Sequence, residues 1–358
     1  MSPPGRPKGE SLSAQREGSP VSLPVDAATI AAAVRVLHHG GLVALPTETV
    51  YGLAADADNR SAVQAVFAAK GRPADHPLIV HVRDGAAIDA WARDVPQAAR
   101  ALAARFWPGP LTLVLRRSAR AHDGLTGGQD TVGLRCPAHP WARALLEALT
   151  QEDPARAVAA PSANSFGRIS PSQAAHVRAD LGEKPSGTVD LILDGGACPV
   201  GIESTIVDLS AGAPRLLRPG AVTREQLQAV LGVTVPDAGS DAPRASGRLE
   251  SHYAPRTPLE LVDEGALAAR INALRGERLA VLAPARALLD RGAQVVARAI
   301  APSDPADYAR RLYALLHELD AAGAGRILVA RPPQGDAWEA LHDRLNRAAT
   351  PASGSERL

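Results

Sequence analysis

The sequence predicts a mixed α/β protein of two domains, and three observations support this prediction. The chain of 358 residues is long enough for two domains that each bury a core. Strand-like aliphatic runs alternate with stretches of helical spacing, which indicates a twisted mixed sheet. A segment rich in Gly, Ala, Pro, Ser and Arg at 235–258 interrupts this alternation. We therefore expect a larger N-terminal domain, a linker and a smaller C-terminal domain.

Composition sets the expected domain boundaries. The first residues are rich in Ser, Pro, Gly and Arg and contain no apolar run that could form a signal core or a membrane span. We read them as a disordered tail. The expected organisation is a tail at 1–24, a first domain at 25–232, a linker at 233–257, a second domain at 258–350 and a tail at 351–358.

The elements of the first domain follow from residue spacing and breakers. A helix is predicted over 27–39, where Gly40 and Gly41 end it, and a buried strand over 42–45 leads into a polar loop. A second helix over 61–70 is closed by Gly71 and Pro73. Helices are also predicted at 98–106 and 141–149, and strands at 78–82, 111–115, 132–135, 158–160, 191–193 and 205–209.

The C-terminal part repeats a strand–helix pattern. Thr223 and Gln226 form a capping-box signature for a short helix before the linker. Beyond the linker, strands are predicted at 259–262, 279–282, 295–297 and 327–330, and helices at 266–275, 305–321 and 336–348. This alternation indicates a small parallel-sheet domain.

Charge and cysteine usage exclude several classes of protein. Lys and Arg together number 39 and Asp and Glu 38, so bulk charge does not hold this chain to nucleic acid or lipid. Cys136 and Cys198 lie far apart and outside any CxxC or Cys/His cluster, which argues against a zinc site and against a disulfide framework. A reduced, cytoplasmic compartment fits best, with no membrane partner.

The lysine pattern draws attention to one segment. The basic residues are almost all arginine, and Lys70 stands in a patterned segment while Lys8 and Lys184 lie in the tail and a loop. Lys70 and Arg72 flank Gly71, which lets a ligand approach the backbone, so together they suit a polyanion such as a triphosphate. A solvated helix end is the alternative reading of the same residues.

Further polar side chains follow predicted strands, where ligand contacts occur in α/β sheets. The loop at 46–53 offers Thr47, Glu48 and Thr49, and the run at 160–165 offers short hydroxyl and amide side chains. An ordinary turn explains the first loop equally well, and in the second loop such residues are more often turn formers than ligands. Tyr253 is an unexpected aromatic in the linker, where it either staples a loop or covers a nucleotide.

The order of these segments is more specific than any one of them. The chain contains in succession PTETVYGL, KGRP followed by HPLIVHV, WPGPLTLVL, TVGLRCPAH, APSAN, GIESTIVD, LRPG and HYAP. This succession resembles the YrdC-domain L-threonylcarbamoyladenylate synthases, in the long form that carries an additional C-terminal domain. The likeness is strong over 27–220, clear at HYAP, and rests on position and strand–helix pattern beyond it.

The resemblance implies a fold and an activity. The fold would be a YrdC-like twisted open mixed sheet with a concave positive cavity, plus a smaller Rossmann-like C-terminal α/β domain. The enzyme would be a nucleotidyltransferase that joins L-threonine, bicarbonate or CO2 and ATP into L-threonylcarbamoyl-AMP and pyrophosphate, with Mg²⁺ accompanying ATP. The product would serve the threonylcarbamoyl-adenosine modification of tRNAs reading ANN codons, where partner proteins of that pathway are further candidates.

The resemblance also assigns roles to residues. The residues implied for L-threonine are Thr49, His81, Arg135, Ser162 and Ser204. Those implied for ATP are Lys70, Arg72, His76, Thr131, Asn164, Ser172, Arg218 and Tyr253. Lys70 and Arg72 are the implied catalytic pair, Thr47 belongs to the same motifs, and no residue is expected to bind a metal directly. His76 stands where the family usually has an asparagine.

Two alternatives remain open, together with the role of the linker. A carbamoyl-adenylate former of the hydrogenase-maturation type would need further modules and cysteines that this chain does not have. A non-catalytic RNA-binding module of the same fold fits poorly with the low aromatic content and balanced charge. In the enzyme, Tyr253 would reach the nucleotide if HYAP folded back as a lid that excludes water.

Overall fold

The computed structural model describes residues 23–247, 252–288 and 294–350, which form two sheets in sequence. The predicted tails, apart from residues 23–24, lie outside the described residues. The strands of the first sheet are β1 (Val43–Leu45), β2 (Gly52–Asp56), β3 (Ile79–His81), β4 (Leu111–Arg116), β5 (Thr131–Arg135), β6 (Val158–Ala159), β7 (Leu191–Ile192), β8 (Thr205–Asp208) and β9 (Arg215–Arg218). Their spatial order is β7-β1-β2-β6-β3-β5-β4-β8-β9.

The first sheet is mixed, as the sequence predicts. β3 pairs parallel with β5, whereas β4 pairs antiparallel with β5 and parallel with β8. In the pairing of β3 with β5, His81 lies directly opposite Arg135. Neighbours at one register position project to the same face, so the sheet itself brings these two predicted threonine-binding residues together.

Helices cover both faces of this sheet. They are α1 (Ala27–His38), α2 (Arg60–Lys70), α3 (Ile88–Trp91), α4 (Gln97–Phe106), α5 (Asp123–Thr126), α6 (Pro140–Leu149), α7 (Ala174–Asp180) and α8 (Arg224–Leu231). Val43 and Leu45 share an apolar cluster with α1 and α6, while Ala44 between them belongs to the larger cluster that includes α2. β1 is therefore buried on both faces, which explains its continuous aliphatic run.

The local chemistry of α2 places two predicted site residues. The Asn59 side chain accepts hydrogen bonds from the backbone N–H groups of Ser61 and Ala62 at the start of the helix. Gly71 ends the helix in the left-handed conformation, with φ of 60°, as glycine does most readily. Lys70 and Arg72 therefore flank a fixed helix end.

The second sheet is parallel and lies between helices. Its strands β10 (Leu259–Val262), β11 (Leu279–Ala283), β12 (Val295–Ile300) and β13 (Arg326–Ala330) have the order β10-β13-β11-β12, and each pair is parallel. Helix α9 (Leu267–Ala273) covers one face, and α10 (Pro305–Asp320) and α11 (Glu339–Ala349) cover the other. This is the Rossmann-like arrangement expected for the C-terminal domain.

The two domains share an apolar core. Val50, Ile169 and Ile202 of the first domain join one cluster with residues of α10 and α11. Gly201, with φ of 77°, approaches α10 so closely that a Cβ at this position would lie 2.3 Å from the backbone oxygen of Arg310. A residue with a side chain does not fit there, so the loop before β8 is held against the C-terminal domain.

The predicted fold class is confirmed, and the differences are local. The sequence does not predict β2, a five-residue strand of small residues directly after the polar loop, nor the short helix α7. Part of the predicted linker pairs with the first sheet, since the backbone N–H of Leu216 donates to the carbonyl of Pro236 at 2.8 Å. The linker bounds at 233 and 257 stay a prediction. Within the described residues, no helix combines the length and apolarity needed to cross a membrane.

The cap of α2 gives a testable prediction. Asn59→Ala removes the side-chain acceptor at the helix start, so we expect a loss of about 1 kcal/mol in the free energy of unfolding. Urea denaturation measures this loss. Asn59→Asp keeps an acceptor at the cap and should stay close to wild type, and equal losses in both variants would contradict a capping role.

Candidate active site

A cavity of about 50 Å³ lies where polar side chains that follow strands and helix ends converge. Ten of the predicted site residues line it, namely Thr49, Lys70, Arg72, His81, Arg135, Ser162, Asn164, Ser204, Arg218 and Tyr253. The structure therefore brings together most of both predicted groups, those implied for threonine and those implied for ATP. Their individual roles stay predictions.

Arg135 is held in place by a carboxylate. Its Nη2 donates to Oε1 of Glu48 at 2.6 Å, and Oε2 of Glu48 accepts the backbone N–H of Ala138 at 2.9 Å. Both charged side chains are buried. The Nε of Arg135 has no partner within the described residues. Glu48 thus fixes the guanidinium and leaves one donor available for an anion.

His81 beside Arg135 is a neutral imidazole. Burial, followed by the nearby charge of Arg135, lowers the pKa of His81 to about 3. Its Nδ1 lies 3.2 Å from the carbonyl oxygen of Ile79. A carbonyl only accepts, so Nδ1 carries the proton and Nε2 remains an acceptor. This tautomer can accept a hydrogen bond from an amine or a hydroxyl.

Arg218 and Ser204 form a second buried group. The Nε and Nη2 of Arg218 donate to the backbone carbonyl of Ser204 at 3.1 and 2.9 Å, and Nη2 also reaches its Oγ at 3.2 Å. The same Oγ lies 2.8 Å from Oγ1 of Thr112. Burial lowers the pKa of Arg218, but an arginine remains charged. A cation without a carboxylate partner among the described side chains thus lies on the cavity wall.

Lys70 makes contacts that differ from the prediction. Its Nζ donates to the backbone carbonyls of Ser162 and Asn164, and burial, reinforced by Arg72, lowers its pKa well below the usual range. In this structure Lys70 fastens the end of α2 to the segment that carries Ser162 and Asn164. A contact between Lys70 and a phosphate stays a prediction.

Arg72 is a second buried guanidinium group that lines the cavity. Its Nη2 donates to the carbonyl of Pro77 at 3.0 Å and to Oγ of Ser246 at 3.2 Å. Its guanidinium carbon lies 5.7 Å from the centre of the Phe166 ring, which is a cation–π distance. Burial lowers its pKa to about 10, so it remains charged at neutral pH. Its Nε has no partner among the described residues.

Unsatisfied polar atoms concentrate in this cavity. Across the described part of the chain, nine buried side-chain nitrogen and oxygen atoms lack a hydrogen-bond partner. Five belong to residues that line the cavity, namely Arg72, Arg135, Asn164, His252 and Tyr253. Buried polar groups are normally paired because an unpaired one costs about 1–3 kcal/mol. A concentration of them in one cavity indicates a polar ligand.

The linker covers the cavity. Ser246, Gly247, His252 and Tyr253, the lid residues, all line it. The hydroxyl of Tyr253 lies so close to Gly247 that a Cβ there would be 2.2 Å from it. The cavity of about 50 Å³ is far below the roughly 300 Å³ at which small-molecule sites begin. This conformation is therefore closed, and a nucleotide needs the lid residues to move.

Three residues implied for ATP lie outside this cavity. His76 packs edge-on against Phe166, with 5.3 Å between ring centres. Thr131 lines a small adjoining cavity that also touches Ser246. Ser172 lines a cavity of about 620 Å³ between the domains, and its Oγ has no partner among the described residues. The structure does not bring these three together with the other residues implied for ATP.

Several lining residues received no role from the sequence. Glu203 lies beside Ser204, and its carboxylate accepts hydrogen bonds from Ser170, Tyr313 and Arg344. Burial alone would raise its pKa, but the charges of Arg344 and Arg218, together with these hydrogen bonds, bring it down to about 2. A lone carboxylate in an otherwise uncharged run was the available signal. Phe166 lies just after the APSAN motif, whereas nothing local marked Ser246. Glu48, which holds Arg135 from outside the cavity lining, lies within PTETVYGL.

Comparison with known protein families decides the identity of this arrangement. The family model Sua5_yciO_yrdC, described as "Telomere recombination", matches residues 35–220. The chain belongs to the Sua5/YciO/YrdC family. A second model, Sua5_C, described as "Threonylcarbamoyl-AMP synthase, C-terminal domain", matches residues 222–350. The resemblance seen in the ordered motifs is thereby confirmed for both parts of the chain.

Individual family members give the same picture. Threonylcarbamoyl-AMP synthase of Pyrococcus abyssi is 44% identical over 232 residues, and that of Bacillus subtilis is 42% identical over 239 residues. These alignments cover 63% and 65% of this chain and 66% of each relative's length. The crystal structure of P. abyssi Sua5 complexed with L-threonine has a TM-score of 0.81 and 35% identity, covering 92% of this chain and 96% of that chain.

The neutral state of His81 leads to a prediction about pH. The folded protein holds the pKa of His81 at about 3, whereas an unfolded histidine titrates near about 6.5. Below that pH the unfolded state binds a proton that the folded state excludes. Above about pH 6.5 this histidine therefore does not lower the free energy of unfolding. As the pH falls from there toward 3, the free energy of unfolding decreases by at most about 1.4 kcal/mol per pH unit because of His81.

Urea denaturation at several pH values tests this. The variant His81→Asn should lose stability less steeply than wild type between about pH 6.5 and 4.5. His38→Asn, at the exposed end of α1, serves as the control and should keep the wild-type slope. An NMR titration in which the His81 imidazole changes charge near pH 6.5 would overturn the assignment.

Proposed function

We propose that this chain combines L-threonine, bicarbonate or CO2 and ATP into L-threonylcarbamoyl-AMP and pyrophosphate, for the threonylcarbamoyl modification of adenosine in tRNAs reading ANN codons. The observation that carries the proposal is a pair of buried guanidinium donors, Arg135 Nε and Arg72 Nε, which line one cavity and have no partner among the residues that the structure describes. Membership of the Sua5/YciO/YrdC family and the names of its members support the same reaction.

The threonine half is built around Arg135. Glu48 accepts a hydrogen bond from Nη2 and orients the guanidinium, and Nε, which has no partner within the described residues, donates to the carboxylate of threonine. The Nε2 acceptor of His81 receives a hydrogen bond from the threonine amine or hydroxyl. The threonine complex of P. abyssi Sua5, a structure similar to this chain, supports a threonine site in this fold. Ser162 and Ser204 complete the predicted contacts.

The ATP half is built around Arg72 and Arg218. The carbamate of threonine and the triphosphate are both anions, and two like charges 4 Å apart repel by about 4 kcal/mol at an effective dielectric constant of 20. Buried guanidinium groups offset this repulsion without having to reorganise. The unpartnered Oδ1 of Asn164 accepts from the nucleotide, and Tyr253 packs over it.

The chemistry then proceeds without a covalent enzyme intermediate. The neutral amine of threonine adds to CO2 and loses one proton to solvent, which gives a carbamate. A carbamate oxygen attacks the α-phosphorus of ATP, the bond from that phosphorus to the bridging oxygen breaks, and pyrophosphate leaves. Positioning of the two substrates is the main contribution of the protein, and alignment of this kind is worth on the order of 7–11 kcal/mol.

Mg²⁺ is proposed as a companion of ATP. Within the described residues, no group of three or more His, Cys, Asp or Glu side chains could hold a metal ion. We propose an ion that retains water and binds chiefly to the phosphate oxygens of ATP. Its contribution when bound is to neutralise part of the triphosphate charge. Arg72 and Arg218 supply the remaining neutralisation from the protein.

The lid residues are proposed to exclude water from the product, a mixed anhydride that hydrolyses readily. They line the closed cavity, and ATP binding must displace them before they close over the adenylate. A P. abyssi Sua5 structure with a double His-and-Tyr-to-Ala substitution has 35% identity and a TM-score of 0.80 to this chain. The adjacent His252 and Tyr253 are the corresponding pair by residue type.

The decisive experiment measures pyrophosphate release from ATP and bicarbonate in the presence of each amino acid. Threonine-dependent release is expected. Arg135→Lys keeps the charge but loses the planar donor set, so the KM for threonine should rise roughly 10- to 100-fold. Arg100→Lys, at an exposed surface pair with Asp89, is the matched control and should behave as wild type.

Other outcomes have clear meanings. Absence of release with any amino acid would overturn the proposed reaction and favour a non-catalytic RNA-binding module. An unchanged KM in Arg135→Lys, with activity intact, would remove Arg135 from the threonine site while leaving the reaction in place.

The lid makes a separate prediction. Tyr253→Phe removes the hydroxyl that has no partner in the closed state of the described residues, so folding should be unaffected. We expect more of the adenylate to be lost to hydrolysis, because the lid residues then lack one contact to the bound nucleotide. Adenylate yield and AMP formation under single-turnover conditions measure this. An unchanged ratio of the two in Tyr253→Phe and Tyr253→Ala would contradict the lid.

A further inference from the structure

The carboxylate of Glu203 connects the cavity to the C-terminal domain. Oε1 accepts from Oγ of Ser170 at 2.5 Å, and Oε2 accepts from the hydroxyl of Tyr313 at 2.8 Å and from Nε of Arg344 at 2.9 Å. Tyr313 lies on α10 and Arg344 on α11. Two helices of the C-terminal domain thus hold a side chain that lines the proposed active site.

Arg344 is a fully buried cation. Its side chain is 0% exposed, and it forms ion pairs with Glu203 and with the neighbouring Asp343. A buried charge of this kind is retained only where its partners are fixed. Its guanidinium carbon also lies 5.4 Å from the centre of the Tyr253 ring. The same cation therefore contacts both the cavity wall and the lid.

Tyr313 makes the same two contacts. Its hydroxyl donates to Glu203, and its ring lies 5.7 Å from the ring of Tyr253 at an interplanar angle of 31°. Tyr253 is itself buried and belongs to the apolar cluster that the two domains share. Tyr313 and Arg344 together form the surface on which the lid tyrosine rests in the closed state.

The position of Glu203 also determines that of its neighbours. Ser204 follows it directly, and the backbone carbonyl of Ser204 accepts two of the four hydrogen bonds that the Arg218 guanidinium donates. Arg344 also reaches the backbone carbonyl of Glu203, at 3.4 Å. A shift of the Glu203 carboxylate is therefore passed through two backbone carbonyls to one residue implied for threonine and one implied for ATP.

We infer that Tyr313 and Arg344 are positioning residues of the proposed active site, which they act on through Glu203 and Tyr253. The C-terminal domain then completes the site: it sets the loop that carries Ser204, whose carbonyl holds the side chain of Arg218 at the end of β9, and it provides the seat of the lid. This inference rests on the proposed function for its kinetic consequences, whereas its structural consequences can be measured without turnover.

The chain offers a matched pair of variants. Tyr313→Phe removes the hydroxyl that Glu203 accepts and keeps the ring beside Tyr253. Tyr308→Phe removes a hydroxyl from the same helix, also buried, that has no partner within the described part of the chain. The two changes are chemically identical, and they differ in the link to Glu203.

Hydrogen exchange tests the inference without turnover. Peptides that cover residues 201–206 and 252–256 should exchange faster in Tyr313→Phe than in wild type, because both segments lose their common anchor. Tyr308→Phe should leave exchange in these peptides at the wild-type rate. Equal exchange in the two variants would overturn the inference, whatever the activity of the enzyme.

Kinetics supply the second readout. In Tyr313→Phe we expect the KM for threonine to rise roughly 10-fold, as for a lost hydrogen bond to a charged group, together with more hydrolysis of the adenylate. Tyr313→Phe should melt at a lower temperature than Tyr308→Phe, because it removes a buried hydrogen bond to a charged carboxylate. Arg344→Lys should recover part of the activity lost in Arg344→Met, since it restores the charge opposite Glu203. If Arg344→Lys recovered no activity and hydrogen exchange in the peptides at 201–206 and 252–256 were unchanged in the Arg344 variants, Arg344 would have a structural role alone.

These measurements separate the two ways of failing. Threonine-dependent turnover in wild type with identical Tyr313→Phe and Tyr308→Phe variants would remove the positioning role and leave the proposed reaction standing. Faster exchange in Tyr313→Phe without any threonine-dependent turnover in wild type would support the positioning role and overturn the proposed reaction.

Discussion

The buried ion pair between Glu203 and Arg344 is the interaction on which the rest of the site depends. It joins the loop before β8 to helix α11 at 2.9 Å, and Arg344 also contacts Tyr253. Loss of one partner from a buried pair typically costs 3–5 kcal/mol, because the other charge is left without compensation. Neither the cavity wall nor the closed lid is therefore independent of the C-terminal domain.

The cavity contains buried polar groups that lower the stability of the protein as well as buried charges. Arg72 and Arg135 each keep an unpartnered Nε within the described residues, and each is at least nine-tenths buried. Such groups destabilise the protein until an anion pairs with them. Ligands that bind only the folded state return that free energy, by RT ln(1 + [L]/Kd). A group of side chains that destabilises the free protein and stabilises the protein with its ligand bound is typical of a binding site and unusual for a structural core.

The fold class could be predicted from apolar spacing and breakers along the chain, whereas most of the predicted site residues came from the resemblance of the ordered motifs to a known family. Ten of those residues line the cavity, among them Arg135, the last residue of β5, and Arg72, which follows α2, and their roles stay predictions. Glu203 could not be assigned a role, since its partners Tyr313 and Arg344 lie 110 and 141 residues away. Lys70 lies at the end of α2, as the spacing predicts, but it bonds to carbonyls that no spacing rule specifies. Strand β2 was missed because its small residues give no clear alternation.

The closed lid is balanced between strain and packing. Tyr253 has φ of 63°, a left-handed conformation that costs a non-glycine residue of order 1–3 kcal/mol. Its contacts with Tyr313 and Arg344 offset this cost. If closure were much more favourable, little of the protein would be open, and the apparent affinity for ATP would fall with that open fraction. If it were much less favourable, the anhydride would meet water. A strained tyrosine seated on a second domain keeps both states accessible, and the seat allows that domain to set the balance.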